Sequence, residues 1–254
     1  MKSILIRMSQ SPIFILLLSV FFTACGHDRP LQGEIKSDKG MVVLLHGLAR
    51  SSASMQKMQI ALANEGFSTC NIYYPSTRHG IVTLALEHVL PKILECVNDP
   101  GTPLNFVTHS LGGIIVRYLA KKDLIVNIGR VVMLAPPNQG SEVVDALGET
   151  WLFNLINGPA GKELGMAGNS IPLQLGPANF EVGIIAGNKS INLILSLMID
   201  GENDGKVSIK NTKLEGMKDF IVLPVTHPFI MKEESVIRQT IHFLIYGMFR
   251  KNSG

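Results

Sequence analysis

One serine in this sequence follows an apolar run at the point where a nucleophile could act. Ser110 follows the predicted strand Leu104–Thr108 within two residues, and Leu111 begins a predicted helix. A sharp strand-to-helix turn lifts the hydroxyl clear of the sheet, and the free N–H groups of the new helix point at developing negative charge. Gly112 and Gly113 leave room for the helix to approach the strand closely. This pattern predicts a nucleophilic serine.

A nucleophilic serine also needs a base, and His227 is the best placed of the seven histidines. It follows the last predicted strand, Phe220–Leu223, so its imidazole would lie over the carboxyl edge of the sheet and face the serine. We therefore predict His227 as the general base rather than as a structural loop histidine. The other histidines fall in a polar N-terminal segment (His27), in motif turns (His46, His109) or in and beside helical segments (His79, His88, His242).

The segment Asp200–Val207, which follows the fifth predicted strand and lies upstream of His227, contains three acidic residues. Asp200, Glu202 and Asp204 have the same chemistry. A carboxylate there could hold the imidazole in one tautomer and stabilise the imidazolium. Asp204 with Gly205 could also serve only to form a turn. Residue types alone leave the acid open among these three.

The elements that must position these groups alternate between short apolar runs and helix-length segments. Such alternation predicts βαβ units, and hence a parallel sheet with helices on both faces. The predicted strands are Met41–Leu45, Ser68–Tyr73, Leu104–Thr108, Val131–Leu134, Val182–Ala186 and Phe220–Leu223, and the predicted helices are Ser54–Gly66, Ile81–Val97 with a kink at Pro91, Leu111–Lys122 and Glu233–Phe249.

These motifs together resemble the lipase and esterase group of the α/β-hydrolase superfamily. The resemblance implies an α/β-hydrolase fold with a mostly parallel six-stranded sheet, from about Met41 to the C-terminus. One position departs from the family pattern G-x-S-x-G. Thr108 replaces the first glycine, so either the helix sits further off or the hydroxyl is accommodated locally. The motifs are His46-Gly47, Val107–Gly112, Leu134–Ser141, Asn203-Asp204-Gly205 and Thr226-His227.

The resemblance implies acyl transfer through Ser110, His227 and an acid between them in the chain. In similar lipases an Asp-Gly-x-Val pattern carries the acid, which here selects Asp204. The backbone N–H groups of Leu48 and Leu111 would form the oxyanion hole. The implied activity is hydrolysis of a small-molecule or lipid carboxylic ester, with no metal or organic cofactor. The alternatives are an acyltransferase, cleavage of a thioester or amide, and a non-catalytic, membrane-tethered binding lipoprotein.

A segment rich in Pro and Gly separates the fourth and fifth predicted strands. This fold inserts a lid or cap there, so we predict a lid-like insertion at about 141–180. The cluster Trp151–Ile156 within it is apolar and aromatic. It is interpreted either as an acyl-chain pocket or interfacial lid, or as an ordinary amphipathic helix packed on the sheet.

The N-terminus predicts export. Lys2 and Arg7 precede the apolar run Ile13–Phe22, which is too short to span a bilayer comfortably and is typical of a secretory signal. The following residues resemble a bacterial lipoprotein cleavage box, although Leu is usual where Phe22 stands. Cys25 is therefore the lipidation candidate, and Gly26 after it fits outer-membrane sorting in a Gram-negative cell.

The predicted organisation is a signal segment at 1–25, a polar tether at 26–40 and the α/β-hydrolase domain at 41–254. The chain is expected to be a lipoprotein that associates with the membrane through its N-terminal segment and faces the periplasm. Plain secretion or a periplasmic location, and an uncleaved anchor, are the alternatives.

Charge and cysteine content narrow the function further. The chain of 254 residues has 23 Lys and Arg against 20 Asp and Glu, and Lys2 and Arg7 belong to the signal segment. The remaining body is nearly neutral, so nucleic-acid binding is not expected. No Cys or His spacing predicts a metal site. Cys70 and Cys96 are either a disulfide, which export permits, or two small buried hydrophobic residues.

Overall fold

The structure is a computed structural model that describes residues 39–97, 101–148, 150–168, 170–191 and 196–251. The predicted signal segment 1–25, with Cys25, lies outside the described residues, as does the tether up to residue 38. No helix of the described residues is both long and apolar enough to cross a membrane. The signal, lipidation and tether therefore stay predictions.

Six strands of the described residues form one sheet in the order β2-β1-β3-β4-β5-β6. All five neighbouring pairs are parallel, which confirms the predicted sheet and makes it wholly rather than mostly parallel. Several strands extend beyond the predicted apolar runs. The strands are β1 (Met41–Leu45), β2 (Ser68–Ile72), β3 (Leu104–His109), β4 (Ile128–Leu134), β5 (Val182–Lys189) and β6 (Asp219–Thr226).

Helices cover both faces of the sheet, as predicted. The long predicted helix at Ile81–Val97 contains a π-helical segment, Leu84–Val89, just before Pro91, which has no N–H for the carbonyl four residues earlier. The helices are α1 (Gln56–Asn64), α2 (Ile81–Thr83), α3 (Leu90–Cys96), α4 (Leu111–Lys121), α5 (Glu142–Leu147), α6 (Trp151–Lys162), α7 (Ile171–Gln174), α8 (Ile209–Thr212) and α9 (Glu234–Tyr246).

One apolar layer lies on each face of the sheet, and β1 contributes to both layers. Val43 and Leu45 belong to the layer that includes α4. Val42 and Leu44 belong to the layer that includes α1 and α9. Alternate residues of a strand point to opposite faces, so a continuous apolar run is what a strand covered on both sides requires.

The two remaining cysteines are joined in the structure. Cys70 on β2 forms a disulfide with Cys96 at the end of α3, with the Cα atoms 6.2 Å apart. Of the two interpretations drawn from the sequence, the structure therefore has the disulfide. The bond closes a loop that runs from the edge strand β2 through α2 and the π-helical segment to the end of α3.

Candidate active site

Ser110 occupies a strained turn between β3 and α4. Its backbone angles are φ 50° and ψ −117°. A residue other than glycine adopts such a conformation at a cost of about 1–3 kcal/mol, and such strain recurs at functional sites. Backbone hydrogen bonds hold the turn, since Ser110 N–H donates to Leu134 O at 2.9 Å and Gly113 N–H donates to Ser110 O at 3.0 Å. The predicted strand-turn-helix setting of Ser110 is present.

Glycine is required at position 112 by the close approach of α4 to β1. A Cβ on Gly112 would lie 2.7 Å from the carbonyl oxygen of Leu45 and 3.0 Å from that of His46. Backbone atoms cannot yield to such a contact, so any side chain would push the helix away from the strand. Gly112 thus fixes the distance between the turn at Ser110 and the loop that follows β1.

Thr108 shows how the departure from the family pattern is accommodated. Its side chain is fully buried, and its hydroxyl has no hydrogen-bond partner among the described residues. A Cβ on Gly113 would lie 3.3 Å from that hydroxyl. The threonine therefore occupies space that glycine at position 113 leaves open, and its hydroxyl is enclosed without a partner.

His227 and Asp204 form a buried pair. His227 Nδ1 lies 2.7 Å from Asp204 Oδ2, and both side chains are almost completely buried. The other carboxylate oxygen accepts backbone N–H groups from Lys206 at 3.0 Å and Val207 at 2.9 Å. A carboxylate fixed in this way holds the proton on Nδ1 and leaves Nε2 of His227 as an acceptor.

Among the three acidic candidates, the structure brings Asp204 to the histidine. The carboxylates of Asp200 and Glu202 belong to exposed residues on the same loop. The backbone of the loop strengthens the pairing, since His227 N–H donates to Asp204 O at 3.1 Å. The acid and the base are thus joined through main chain and side chain together.

One cavity of about 450 Å³ brings the predicted groups together. Ser110, His227 and Leu48 all line it. Asp204 lies behind His227, and Leu111 is fully buried at the start of α4. The insertion contributes mainly apolar residues to the lining, with Ser141, Thr150 and Asn157 as its polar members. The apolar ones are Val143, Val144, Leu147, Ile156 and Leu164.

The two predicted oxyanion donors lie in the segments that the sequence assigned to them. Leu48 follows β1, and its N–H donates to no acceptor among the described residues. Leu111 is the first residue of α4, where a helix leaves its N–H groups free. His46 shapes the first loop, because its ring stacks on Tyr74 with centroids 4.1 Å apart and its Nδ1 lies 2.9 Å from Gly47 O.

His109 has a larger part in the site than its sequence interpretation as a loop-shaping residue. Its Nε2 lies 3.1 Å from the carbonyl oxygen of His227, which can only accept, so Nε2 carries the proton. Its Nδ1 is buried without a partner among the described residues. Burial, and then the nearby His227, lower the pKa of His109 well below its ordinary value. A neutral His109 therefore supports the backbone of the predicted base.

Comparison with known proteins gives one family match and many solved structures. Residues 36–136 match the model of a family described as "Putative serine esterase (DUF676)". A search of curated proteins finds no relative that matches this sequence.

The solved structures similar to this one include named lipolytic proteins. The mature lipase BlEst2 of Bacillus licheniformis is 21% identical with a TM-score of 0.63, covering 81% of this chain and 91% of that chain. The metagenomic carboxyl esterase MGS0156 is 17% identical with a TM-score of 0.62, covering 83% and 76%. Phospholipase PlaB of Legionella pneumophila is 19% identical with a TM-score of 0.59, covering 81% and 57%. The chain has the α/β-hydrolase fold that its motifs resemble.

Proposed function

We propose that this protein is a serine hydrolase that cleaves carboxylic esters. The observation that carries the proposal is the buried pair of His227 and Asp204 in contact with the cavity that holds the strained Ser110. The family match over residues 36–136 and the lipase and esterase names of the similar structures support it.

The proposed reaction has two steps. Ser110 Oγ attacks the ester carbonyl while His227 Nε2 takes its proton, and the C–O bond then breaks as His227 returns that proton to the leaving alcohol. Water, deprotonated by His227, releases the acid from the acyl-enzyme. Asp204 stabilises the imidazolium, and the N–H groups of Leu48 and Leu111 stabilise the oxyanion.

The proposed substrate is an ester with an apolar acyl chain. Four of the five cavity-lining residues from α5 and α6 are aliphatic, which favours an alkyl chain over a polar acid. Lipid esters would also suit the predicted location, in which Cys25 and the segment 1–25 attach the protein to a membrane facing the periplasm. BlEst2 and PlaB are, by name, a lipase and a phospholipase.

The test is turnover of p-nitrophenyl butyrate by the purified protein and by Ser110→Ala. Loss of a triad serine lowers kcat by a factor on the order of 10⁶, so the variant should be almost inactive. Ser235→Ala on α9 serves as the control because this serine lies outside the cavity. Unchanged turnover in Ser110→Ala would contradict the proposal, as would failure of a fluorophosphonate probe to label Ser110. An added alcohol acceptor separates hydrolysis from acyl transfer by the products formed.

A further inference from the structure

Two basic side chains line the cavity beside Ser110. Arg50 and Lys206 are both exposed residues whose side chains contribute to the cavity lining. Arg50 stands two positions after Leu48, and Lys206 stands two positions after Asp204. The cations therefore come from opposite sides of the site, one from the predicted oxyanion loop and the other from the acid loop.

Hydrogen bonds hold the backbone at Lys206 and next to Arg50. Lys206 N–H donates to Asp204 Oδ1 at 3.0 Å, and Ser141 Oγ donates to Lys206 O at 2.8 Å. On the other side, Ala49 N–H donates to Ser76 Oγ at 3.1 Å, next to Arg50. The backbone at or beside each cation is thus held in place by hydrogen bonds.

The side chains of Arg50 and Lys206 both line the cavity and lie within electrostatic range of each other. Although Lys206 is exposed as a residue, desolvation of its ammonium and then the charge of Arg50 lower its pKa, while the carboxylate of Asp204 raises it. Arg50 and Lys206 also both lower the pKa of the buried His109. Two like charges held this close destabilise each other, and an anion between them would relieve the repulsion.

The part of the chain that the structure describes supplies no such anion. Its ion pairs join Lys39 to Glu65, Lys57 to Glu234, Arg130 and Lys218 to Glu181, and His227 to Asp204. The nearby carboxylate of Asp204 is occupied by His227 and by two backbone N–H groups. Among the described residues, Arg50 and Lys206 in the cavity lining therefore take part in none of the ion pairs.

We propose that the enzyme acts on esters whose alcohol part carries an anionic group, a phosphodiester or a carboxylate, and that Arg50 and Lys206 bind this group. The inference rests on the proposed ester hydrolysis. The aliphatic lining residues come from the insertion and suit the acyl chain, whereas Arg50 and Lys206 come from the loop after β1 and from the loop that carries Asp204. The anion therefore belongs to the other part of the ester, the alcohol.

Two matched pairs of soluble substrates test this inference. The first compares 4-butyryloxybenzoate, which carries a carboxylate, with its neutral methyl ester. The second compares monomeric dihexanoyl phosphatidylglycerol, which carries a phosphodiester, with dihexanoylglycerol. The readout is the ratio of kcat/KM for the anionic and neutral members, which cancels differences in leaving group when variants are compared.

The ratio should fall about fivefold to tenfold in Arg50→Gln and again in Lys206→Gln, as expected for loss of one charge contact each. Raising the ionic strength from about 0.05 to about 0.5 M should lower the ratio in the wild type and leave it almost constant in the double variant. Lys210→Gln is the matched control, because Lys210 is an exposed lysine on the neighbouring α8 and does not line the cavity.

The result also distinguishes the source of the anion. A fall confined to the phosphatidylglycerol pair supports the inference with a phospholipid headgroup as the source, and a fall confined to the benzoate pair supports it with a carboxylate. Ratios that stay the same in both variants for both pairs overturn it. If the wild type cleaves these esters and Ser110→Ala does not, the proposed hydrolase activity stands even when the anion inference fails.

Discussion

At the scale of single residues, the turn around Ser110 concentrates features that cost stability. Ser110 has a strained backbone. Among the described residues, neither the buried hydroxyl of Thr108 nor the buried Nδ1 of His109 has a hydrogen-bond partner. Three consecutive residues thus each have an unpaired buried polar atom or a strained backbone, and both features cost stability. Such features are expected where a side chain must be presented in one fixed geometry.

Thr108→Val should raise the free energy of unfolding by about 1 kcal/mol, because a methyl group replaces a buried hydroxyl that lacks a hydrogen bond. The measurement is urea unfolding at neutral pH. Thr212→Val is the matched control, since Thr212 is equally buried but its hydroxyl donates to Ile209 O at 2.7 Å. That control should lose about 1 kcal/mol. Equal destabilisation by both substitutions would show that the Thr108 hydroxyl is satisfied.

Ser110 and His227 of the candidate triad could be predicted from local sequence, because one lies between an apolar run and a helix and the other follows the last strand. Asp204 needed the family's Asp-Gly-x-Val pattern as well, since Asp200 also precedes a glycine. Arg50 and Lys206 carry no such local signal. They are 156 positions apart and meet at one cavity only because parallel strands end at one edge of the sheet.

At the scale of elements, the insertion between β4 and β5 is tied to α2, is braced within itself, and exposes large apolar side chains. Glu163 Oε2 accepts the N–H of Ile81 on α2 at 2.6 Å, and within the insertion Asp145 Oδ1 accepts that of Met166 at 2.8 Å. Trp151 and Leu155 on α6, however, are more than 70% exposed. This exposure favours the lid or interfacial interpretation over a helix packed on the sheet.

A buried arginine also fixes this insertion to the core. Arg117 on α4 donates to Asn138 O at 3.0 Å, to Pro172 O at 3.1 Å and to Gly176 O at 2.8 Å. Desolvation lowers the pKa of Arg117 to about 10, so the side chain stays charged at neutral pH. The helix behind the nucleophile and the far end of the insertion are therefore held at a constant distance.

Leu155→Gln should lower the activity on an ester emulsion by about threefold or more, while a dissolved short-chain ester is cleaved with much less change. The reason is that an exposed leucine contributes free energy by entering a lipid surface, and a polar residue does not. Ile60→Gln on α1 is the control, because Ile60 is also an exposed aliphatic residue on a helix and does not line the cavity. An equal loss in both variants would assign the effect to general surface hydrophobicity.

Strand and helix types were predictable, but their ends were not. The predicted fifth strand ended at Ala186, whereas β5 continues to Lys189. The predicted fourth strand began at Val131, whereas β4 begins at Ile128. Apolar patterning marks only the part of a strand that is covered on both faces. Backbone pairing continues beyond it through residues such as Gly129, Arg130, Asn188 and Lys189, which interrupt the apolar run.

At the scale of the whole molecule, the sheet is open at both edges and the disulfide lies at one of them. β2 is the first strand in the sheet order, and Cys70 on it is bonded to Cys96 on the helix that covers this end. Edge strands are held by one neighbour only and are the first to separate from a sheet. A covalent bond between the edge strand and its covering helix therefore acts where the fold is least supported.

Replacing both cysteines, Cys70→Ser with Cys96→Ser, should lower the free energy of unfolding by about 3 kcal/mol, because the bond closes a loop with a sequence separation of 26 residues. Urea unfolding gives the change, and treatment of the wild type with a thiol reductant should reproduce it. The reductant should not affect the double variant, which is the control for other effects of the reagent. A wild type whose stability does not respond to reduction would show that Cys70 and Cys96 act as two buried apolar residues. A loss of the expected size would instead tie the full stability of this fold to an oxidising compartment, in agreement with the predicted export.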